Sequence, residues 1–284
     1  MQLPPPGLIA VDLDGTLLRG DNVHPEDLQA LEAARTAGVK VVAATGRSHF
    51  SAQPVLEELG LADLYVCYNG ACTVGQEGRW QRDLRVPLDI AREVLEECRR
   101  VKLAVRVFLP DEVVMSDEPG PDEAFFKYRS FERVDLNLAG TLQEAPVQMV
   151  IVHLHDVHTF SGRFKGTHVE RDVQWMLEGR DPETPHLWAL HLLNSLSLKS
   201  LAVAQLCEEW GISPANVLAF GDGPNDTNLL QWAGTTISFA WAVKATQVAA
   251  DAIADPNDPH PIATFVYPWL EKLHLNKSAC GRFY

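Results

Sequence analysis

Two aspartates stand two positions apart at the end of an apolar run near the start of the chain. The run is Leu8–Val11, and Asp12 and Asp14 follow it, with a Gly-Thr turn directly behind them. Such a run is typical of a buried parallel strand, and ligands bind at the carboxyl ends of such strands. Two carboxylates in a half-dry crevice are costly unless a cation or a proton separates them. The pair therefore indicates a chemical site, whereas a strand end with an Asx-type turn would explain only one of the aspartates.

Two further apolar runs end in polar residues that can do chemistry. The run at 39–44 is followed by Thr45-Gly46-Arg47, and the run at 217–220 is followed by Gly221-Asp222-Gly223-Pro224-Asn225-Asp226. Lys199 lies where a helical stretch, Leu201 to Trp210, begins. Three strand ends thus carry small or acidic polar residues, and one lysine stands at a helix start.

These segments resemble the four motifs of the haloacid dehalogenase superfamily, whose members are mostly Mg²⁺-dependent phosphatases. The segment Tyr68-Asn69-Gly70-Ala71, after an apolar strand at 64–67, is similar to that of the sugar-phosphatase-type subfamily IIB, often called Cof-type. The resemblance covers about the first 80 and the last 90 residues. The Asp-Leu-Asp-Gly-Thr and Gly-Asp-x-x-Asn-Asp motifs, in this order, are its most specific part.

The resemblance implies an α/β fold, in which a Rossmann-like, doubly wound parallel-sheet core carries an inserted α+β cap domain of type C2. Strands and helices alternate along the chain, which also favours a parallel sheet with helices on both faces. We expect the core domain at residues 1–84 and 191–284 and the cap domain at residues 85–190. A cap in this position would close over the carboxyl edge of the sheet and shape the substrate pocket.

The sequence pattern also predicts the elements of the inserted segment. It predicts helices over 89–100 and 169–177, strands over 104–109, 113–115 and 147–155, a loop over 117–123 and a return linker over 180–185.

The resemblance implies a role for each polar residue. Asp12 is expected to attack phosphorus and form a phosphoaspartate, and Asp14 to act as general acid and then as general base. The Thr45 hydroxyl and the backbone amides around Gly46 are expected to bind the phosphoryl oxygens. Lys199 supplies a fixed positive charge near the nucleophile and the phosphate. Asn225, in the last motif, is expected to hydrogen-bond the phosphate.

A charge count indicates a divalent cation. Asp12, Asp14, Asp222 and Asp226 contribute about −4 when all are ionised, a phosphate dianion adds about −2, and one lysine cannot offset this in a low-dielectric crevice. A hard cation that keeps waters and binds one or two carboxylates and a phosphate oxygen suits this set, and Mg²⁺ fits. The expected ligands are Asp12, Asp14 through its backbone carbonyl, and Asp222. Asp226 is expected either to be a further metal ligand or to orient Lys199 or a metal-bound water.

Composition restricts the partners. The chain has 284 residues, a formal net charge of −14 and a pI near 5.1, which disfavours nucleic acids and anionic membranes as partners. Its five cysteines are scattered and odd in number, which disfavours a disulfide framework and favours a reducing compartment. No signal peptide and no bilayer-spanning run is visible. We therefore expect a cytoplasmic protein that acts on a small phosphorylated metabolite.

Hydrolysis of a small, sugar-phosphate-like phosphomonoester is the function that these patterns favour. A phosphomutase or phosphotransferase on the same scaffold is an alternative, and a non-catalytic, ligand-sensing protein is another. Loss of a catalytic carboxylate would favour the last, but both aspartates and the lysine are present. Arg47 fits a surface ion pair as well as it fits a contact with the substrate.

The chain departs from the family pattern at two places. Ser200 follows the lysine, where glycine is usual. Ser238-Phe239-Ala240-Trp241-Ala242 stands where a Met-Gly-Asn-Ala-like loop is usual. We expect the bulky Trp241 to narrow the entrance of the site and so to affect the choice of substrate.

Overall fold

Two compact units make up the chain in the computed structural model, which describes residues 7–20, 22–116, 132–154, 157–178 and 188–280. The core unit comprises residues 1–81 and 198–284, and the inserted unit comprises residues 82–197. In the described part of the chain none of the helices has both the length and the apolar composition that crossing a membrane requires.

The strands and helices are numbered in chain order. The strands are β1 (Leu8–Val11), β2 (Lys40–Ala44), β3 (Tyr65–Cys67), β4 (Cys72–Val74), β5 (Trp80–Asp83), β6 (Ala104–Phe108), β7 (Val113–Met115), β8 (Glu132–Val134), β9 (Gln148–Leu154), β10 (Val173–Glu178), β11 (Trp188–Asn194), β12 (Val217–Phe220), β13 (Thr235–Phe239) and β14 (Ala252–Ala254). The helices are α1 (Pro25–Thr36), α2 (His49–Glu58), α3 (Leu88–Val101), α4 (Leu138–Thr141), α5 (Val157–Gly162), α6 (His168–Asp172), α7 (Lys199–Trp210), α8 (Thr227–Trp232), α9 (Lys244–Ala249) and α10 (Pro261–Cys280).

A mostly parallel sheet forms the centre of the core unit. Its described strands lie in the order β14-β13-β12-β1-β2-β3-β4-β5. From β14 to β3 every neighbouring pair is parallel, and β4 then runs antiparallel to β3. All four residues of β1 are buried, because β1 is central and has β2 on one side and β12 on the other. The continuous apolar run that predicted this strand thus reflects burial on both faces of the sheet.

Helix α7 covers one face of this sheet. Its residues Ala202, Val203 and Leu206 pack in one apolar cluster with Leu8 and Ala10 of β1. Burying a side chain such as leucine contributes about 1.5–3 kcal/mol. Gly211 ends the helix in the left-handed conformation, at φ +66°, which glycine adopts without strain. This packing fixes the position of Lys199, the first residue of α7, relative to the strands of the sheet.

The inserted unit has a second sheet, with strand order β10-β11-β9-β6-β7-β8 among the described residues. Alternate residues of β6 and β9 point to one face, where Val105, Val107, Met149 and Ile151 pack against α3. Period-two alternation on the strands and the apolar stripe of α3 together make an apolar core that belongs to this unit alone.

The structure confirms the predicted α/β fold, with an α+β unit inserted into the core. The predicted helix over 169–177 is wrong, because α6 ends at Asp172 and β10 begins at Val173. Residues 173–178 pair instead with β11, a strand that the sequence analysis did not predict. The predicted loop over 117–123 and the return linker over 180–185 lie outside the described residues.

The unit limits lie close to, but not at, the predicted ones. The chain divides after Gln81 and after Ser197, compared with 84 and 190 in the sequence analysis. The second limit lies later because β11 continues to Asn194 and pairs with both β9 and β10 of the inserted unit.

Candidate active site

Strand ends of the core unit bring the predicted residues together. Asp12 follows β1, Thr45 follows β2, and Asp222 lies two residues after β12. These three strands are adjacent and parallel, so their carboxyl ends meet at the same edge of the sheet. Helix α7 adds Lys199 at its first position.

Lys199 lies between two buried carboxylates. Its Nζ atom is 2.6 Å from Oδ1 of Asp12 and 2.6 Å from Oδ1 of Asp226. All three side chains are almost completely buried. Burial opposes the charge of the lysine, but the two carboxylates outweigh this effect and raise the pKa of Lys199. The ammonium group is therefore charged at neutral pH and held in place by two ion pairs.

Burial and the charge of Asp226 raise the pKa of Asp12, although Lys199 acts in the opposite direction. One ammonium group thus does not compensate all the negative charge gathered at this point. A cation that contacts Asp12 would lower the cost of keeping its carboxylate ionised.

Asp222 completes the acidic cluster. Thr16 donates a hydrogen bond from Oγ1 to Oδ1 of Asp222, at 2.9 Å. Gly15, at φ +82°, lies so close that a β-carbon there would be 2.2 Å from Oδ2 of Asp222. Burial raises the pKa of Asp222 to about 6, against the effect of the Thr16 hydrogen bond. The glycine of the Asp-Gly-Thr turn is therefore required for the carboxylate of Asp222 to approach this turn.

The described residues include a group suited to a divalent cation. Oxygen atoms of Asp12, Asp222 and Asp226 all lie within 4.8 Å of one another. Hard cations such as Mg²⁺ bind carboxylate oxygens, and the excess negative charge beside Lys199 makes a divalent cation favourable here. The donor set therefore fits a divalent metal, as the charge count predicts.

Asp226 has a second function in the local structure. Its Oδ2 atom accepts hydrogen bonds from the backbone N–H groups of Asp222, at 3.1 Å, and Gly223, at 2.9 Å. Since its Oδ1 atom contacts Lys199, both oxygens already have protein partners. Of the roles expected from the sequence, the geometry favours orientation of Lys199.

The side chain of Asp14 lies apart from this cluster. Its two oxygens accept hydrogen bonds from Nε and Nη2 of Arg47, at 2.8 and 2.6 Å, and the side chain is 54% exposed. Of the two roles left open for Arg47, the structure shows an ion pair, and its partner is the predicted acid–base residue. The expected metal contact of Asp14 involves its backbone carbonyl and stays a prediction.

Thr45, Gly46 and Asn225 lie around one further residue, Asn69. The side chain of Asn225 donates a hydrogen bond from Nδ2 to Oδ1 of Asn69, at 2.7 Å, and Gly46 packs directly against both amides. Thr45 is buried, and its Oγ1 atom accepts a hydrogen bond from the backbone N–H of Arg47, at 3.0 Å.

Asn69 was not among the predicted site residues. It is buried and has a φ of +55°, a conformation that asparagine tolerates better than most residues. The Asn-Gly pair in the segment at 68–71 is the signal that could have identified it, since such a pair marks a turn.

Comparisons with known proteins identify the family of the chain. A model of haloacid dehalogenase-like hydrolases matches residues 9–266. Pyridoxal phosphate phosphatase YbhA of Escherichia coli (strain K12) is 27% identical over 281 residues, which cover 93% of this chain and 98% of that protein. HMP-PP phosphatase of Serratia proteamaculans (strain 568) is 30% identical over 283 residues, which cover 95% and 98%. The solved structure of BT4131, described as a HAD subclass IIB sugar phosphatase, is similar with a TM-score of 0.75 at 19% identity, covering 93% of this chain and 98% of that one. The chain therefore belongs to the haloacid dehalogenase-like hydrolase family.

Proposed function

We propose that this chain is a Mg²⁺-dependent phosphatase that hydrolyses a small phosphomonoester through a phosphoaspartate on Asp12. The observation that carries the proposal is the buried ammonium group of Lys199, held between Asp12 and Asp226 with Asp222 beside them. The two curated relatives described above bear the names of phosphatases of small phosphorylated compounds, and each is matched over nearly its whole length. These names support a small phosphorylated metabolite as the substrate class.

The first step uses Asp12 as the nucleophile. An oxygen of its carboxylate attacks the phosphorus atom, the bond from phosphorus to the ester oxygen breaks, and the leaving oxygen takes a proton from Asp14. Lys199 keeps the attacking carboxylate in place and offsets the charge that gathers on the phosphoryl oxygens. Thr45, Gly46 and Asn225 are the groups that we assign to binding those oxygens.

The second step regenerates the enzyme. Asp14 takes a proton from water, the water oxygen attacks the phosphorus of the phosphoaspartate, and inorganic phosphate leaves as the carboxylate of Asp12 is restored. Arg47 holds the carboxylate of Asp14 by two hydrogen bonds, so it fixes the starting position of the acid–base group. A phosphomutase would differ only here, by transferring the phosphoryl group to a second hydroxyl rather than to water.

Mg²⁺, when bound, would neutralise charge and orient the phosphate group. We assign Asp12, Asp222 and the backbone carbonyl of Asp14 as its protein ligands, and Asp226 as the residue that orients Lys199. The four cysteines described as free thiols, Cys67, Cys72, Cys98 and Cys207, are all buried, which supports the expected cytoplasmic location.

A burst experiment tests the nucleophile and the acid–base residue together. With p-nitrophenyl phosphate, whose leaving group needs no acid, Asp14→Asn should release nitrophenol in a burst and then stall, with turnover lowered about 10²–10⁴-fold. The peptide that contains Asp12 should then carry one added phosphoryl group by mass spectrometry. The matched variant Asp12→Asn should show neither burst nor added mass, because an amide cannot attack phosphorus.

Two outcomes would contradict the proposal. Retention of about a tenth of the wild-type activity by Asp12→Asn would exclude the covalent route. If the wild-type protein gave a phosphorylated sugar rather than inorganic phosphate as its main product, the chain would be a phosphotransferase.

Removal of the metal tests the assignment of Asp222 as a metal ligand. We expect EDTA to abolish phosphatase activity and millimolar Mg²⁺ to restore it, whereas Ca²⁺ should restore little, because its longer and looser coordination misplaces the attacking carboxylate. The measurement is release of inorganic phosphate from a broad panel of phosphomonoesters. Full activity in metal-free buffer would exclude Asp222 as a metal ligand.

A further inference from the structure

Trp241 has an unusual combination of exposure and fixed geometry. It lies in the segment 239–243, which comprises the last residue of β13 and the loop that leads to α9, and it is 43% exposed. Its indole Nε1 atom nevertheless donates a hydrogen bond to the backbone carbonyl of Gly15, at 2.8 Å. The ring stacks on buried Phe239, with centroids 4.9 Å apart and planes inclined at 23°. The hydrogen bond at its polar edge and the stacking on one of its faces therefore hold the indole ring in one position, although the ring is exposed to solvent.

The same segment also contacts the turn that carries Asp222. The backbone N–H of Val243 donates a hydrogen bond to the carbonyl oxygen of Asp222, at 3.3 Å. The side chain of Gln247, on α9, donates from Nε2 to the carbonyl oxygens of Phe239, Ala240 and Ala242, at 3.2, 2.9 and 3.1 Å. Helix α9 thus supports a segment that contacts both acidic turns of the site.

The hydrogen bonds from Trp241 and Val243 reach two turns, one at Gly15 and one at Asp222, that already contact each other. Gly15 follows Asp14 and packs against the carboxylate of Asp222, and Thr16 donates a hydrogen bond to that carboxylate. The position of the Gly15 carbonyl therefore affects the spacing between Asp12, the Asp14 backbone and Asp222. The indole hydrogen bond is the side-chain contact through which the segment 239–243 fixes that carbonyl.

We propose that Trp241 is a positioning residue for the divalent-cation site, because its indole N–H fixes the Asp12–Thr16 turn relative to Asp222. The inference rests on the proposed function, in which those residues hold Mg²⁺. It gives a role to a residue that departs from the pattern of the family, where small and amide side chains occupy this loop. Trp241 does not touch the substrate in this role, and it acts through the carbonyl of Gly15.

The test removes the indole N–H donor of Trp241 and keeps an aromatic ring at this position. Trp241→3-benzothienylalanine exchanges the N–H for sulfur at nearly the same size, and Trp241→Phe is a simpler second variant. Trp210→Phe is the matched control, since Trp210 lies at the end of α7 and carries Lys40 over its ring at 4.9 Å. Isothermal titration calorimetry with Mg²⁺ alone and steady-state kinetics with p-nitrophenyl phosphate are the two measurements.

We expect both Trp241 variants to bind Mg²⁺ about threefold to tenfold more weakly, the effect of losing one hydrogen bond. The kcat value at a fixed, subsaturating Mg²⁺ concentration should fall by a similar factor, with KM changed less than about twofold. The Trp210 control should match the wild-type protein in both measurements. A merely structural role would lower the melting temperature and leave the Mg²⁺ affinity of the folded protein unchanged.

Wild-type Mg²⁺ affinity in the benzothienylalanine variant would overturn the proposal. So would a loss in Trp241→Phe alone, because the ring rather than the donor would then be responsible. A wild-type protein that hydrolyses no phosphomonoester would contradict the proposed function instead, and the Mg²⁺ titration would still decide on the role of Trp241.

Discussion

At the scale of single residues, the buried lysine controls the charge balance of the site. Lys199 makes two ion pairs at 2.6 Å, and neither it nor Asp226 has exposed side-chain surface. A buried charge without a partner is far more costly than a paired one. Each of these three charged side chains therefore depends on an oppositely charged neighbour to stay ionised in the buried site.

Replacement of the lysine tests this dependence. We expect Lys199→Met to lower the free energy of unfolding by about 3–5 kcal/mol at neutral pH without metal, because two buried carboxylates lose their cation. Urea denaturation at equal protein concentration is the measurement. Lys40→Met is the matched control and should cost less than about 1 kcal/mol, since Lys40 makes an exposed contact with Trp210. A cost below about 1 kcal/mol for Lys199→Met would show that the burial of the two carboxylates does not depend on the lysine.

The sequence predicted that three charged residues converge, but not the contacts among the neutral residues beside them. Asp12, Lys199 and Asp222 stand in short motifs with local signatures, so their convergence was predictable from the order of strands and helices. Asn69 and Trp241 were different. Asn69 contacts Asn225, and Trp241 contacts Gly15. The Asn-Gly pair marks a turn at Asn69, but no local pattern names the partner of either residue, because such long-range pairs depend on how distant loops pack.

At the scale of elements, the backbone at Gly70 lies so close to the backbone of Leu198 and Lys199 that it sets where α7 begins. Gly70 has a φ of +99°, and a β-carbon there would lie 2.3 Å from the carbonyl oxygen of Leu198 and 2.8 Å from the backbone nitrogen of Lys199. The turn between β3 and β4 therefore defines where α7 can begin. The position of the lysine depends on a glycine that lies far from it in the sequence.

Gly70→Ala tests this dependence. The added methyl group must displace the first turn of α7, so we expect kcat to fall about 10- to 100-fold through misplacement of Lys199. Gly60→Ala is the matched control, because Gly60 also has a positive φ, of +68°, but no atom lies within 4 Å of its added carbon. The control should lose about 1–2 kcal/mol of stability and keep the wild-type kcat. Equal kcat values for the two variants would mean that α7 starts independently of the β3–β4 turn.

The central strands of the core sheet were predictable as elements, and the edge strand β10 was not. The runs at 8–11 and 217–220 became β1 and β12 with the predicted bounds, because continuous apolar runs of this length fit a central parallel strand. Residues 169–177 contain apolar positions that also fit a helix. The edge strand β10 forms there through pairing with β11, so a tertiary contact outweighed the local pattern.

At the scale of the whole molecule, the two units have separate apolar cores. Leu192 and Ile151 belong to the core of the inserted unit, whereas Leu206 packs with β1 in the core unit. The three carboxylates of the acidic cluster, those of Asp12, Asp222 and Asp226, all lie in the core unit. We therefore expect that substitutions in the apolar core of the inserted unit leave metal binding unchanged.

Substitutions that open a cavity in one apolar core or the other test whether metal binding depends on the core unit alone. We expect Leu192→Ala to destabilise the inserted unit by about 2–5 kcal/mol and to leave the Mg²⁺ affinity of the folded protein unchanged. The matched variant Leu206→Ala should cause a similar loss in the core unit. Hydrogen exchange followed by mass spectrometry assigns the loss to a unit, and calorimetry gives the Mg²⁺ affinity. Weaker Mg²⁺ binding in Leu192→Ala would show that the inserted unit supports the metal site.

The pairing of β1 with β12 has a consequence for the order of synthesis on the ribosome. Leu8 pairs with Val217, and Asp12 contacts Lys199, so the first strand waits for partners that are translated after the whole inserted unit. The inserted unit can complete its own core while the surrounding sheet still lacks its other half. Asp222 lies 25 residues beyond the end of the inserted unit at Ser197, which takes about 1–5 s at about 5–20 residues per second. The nascent chain therefore cannot assemble the Asp12–Asp222 cation site, or begin any chemistry there, until the whole inserted unit and β12 have been synthesised.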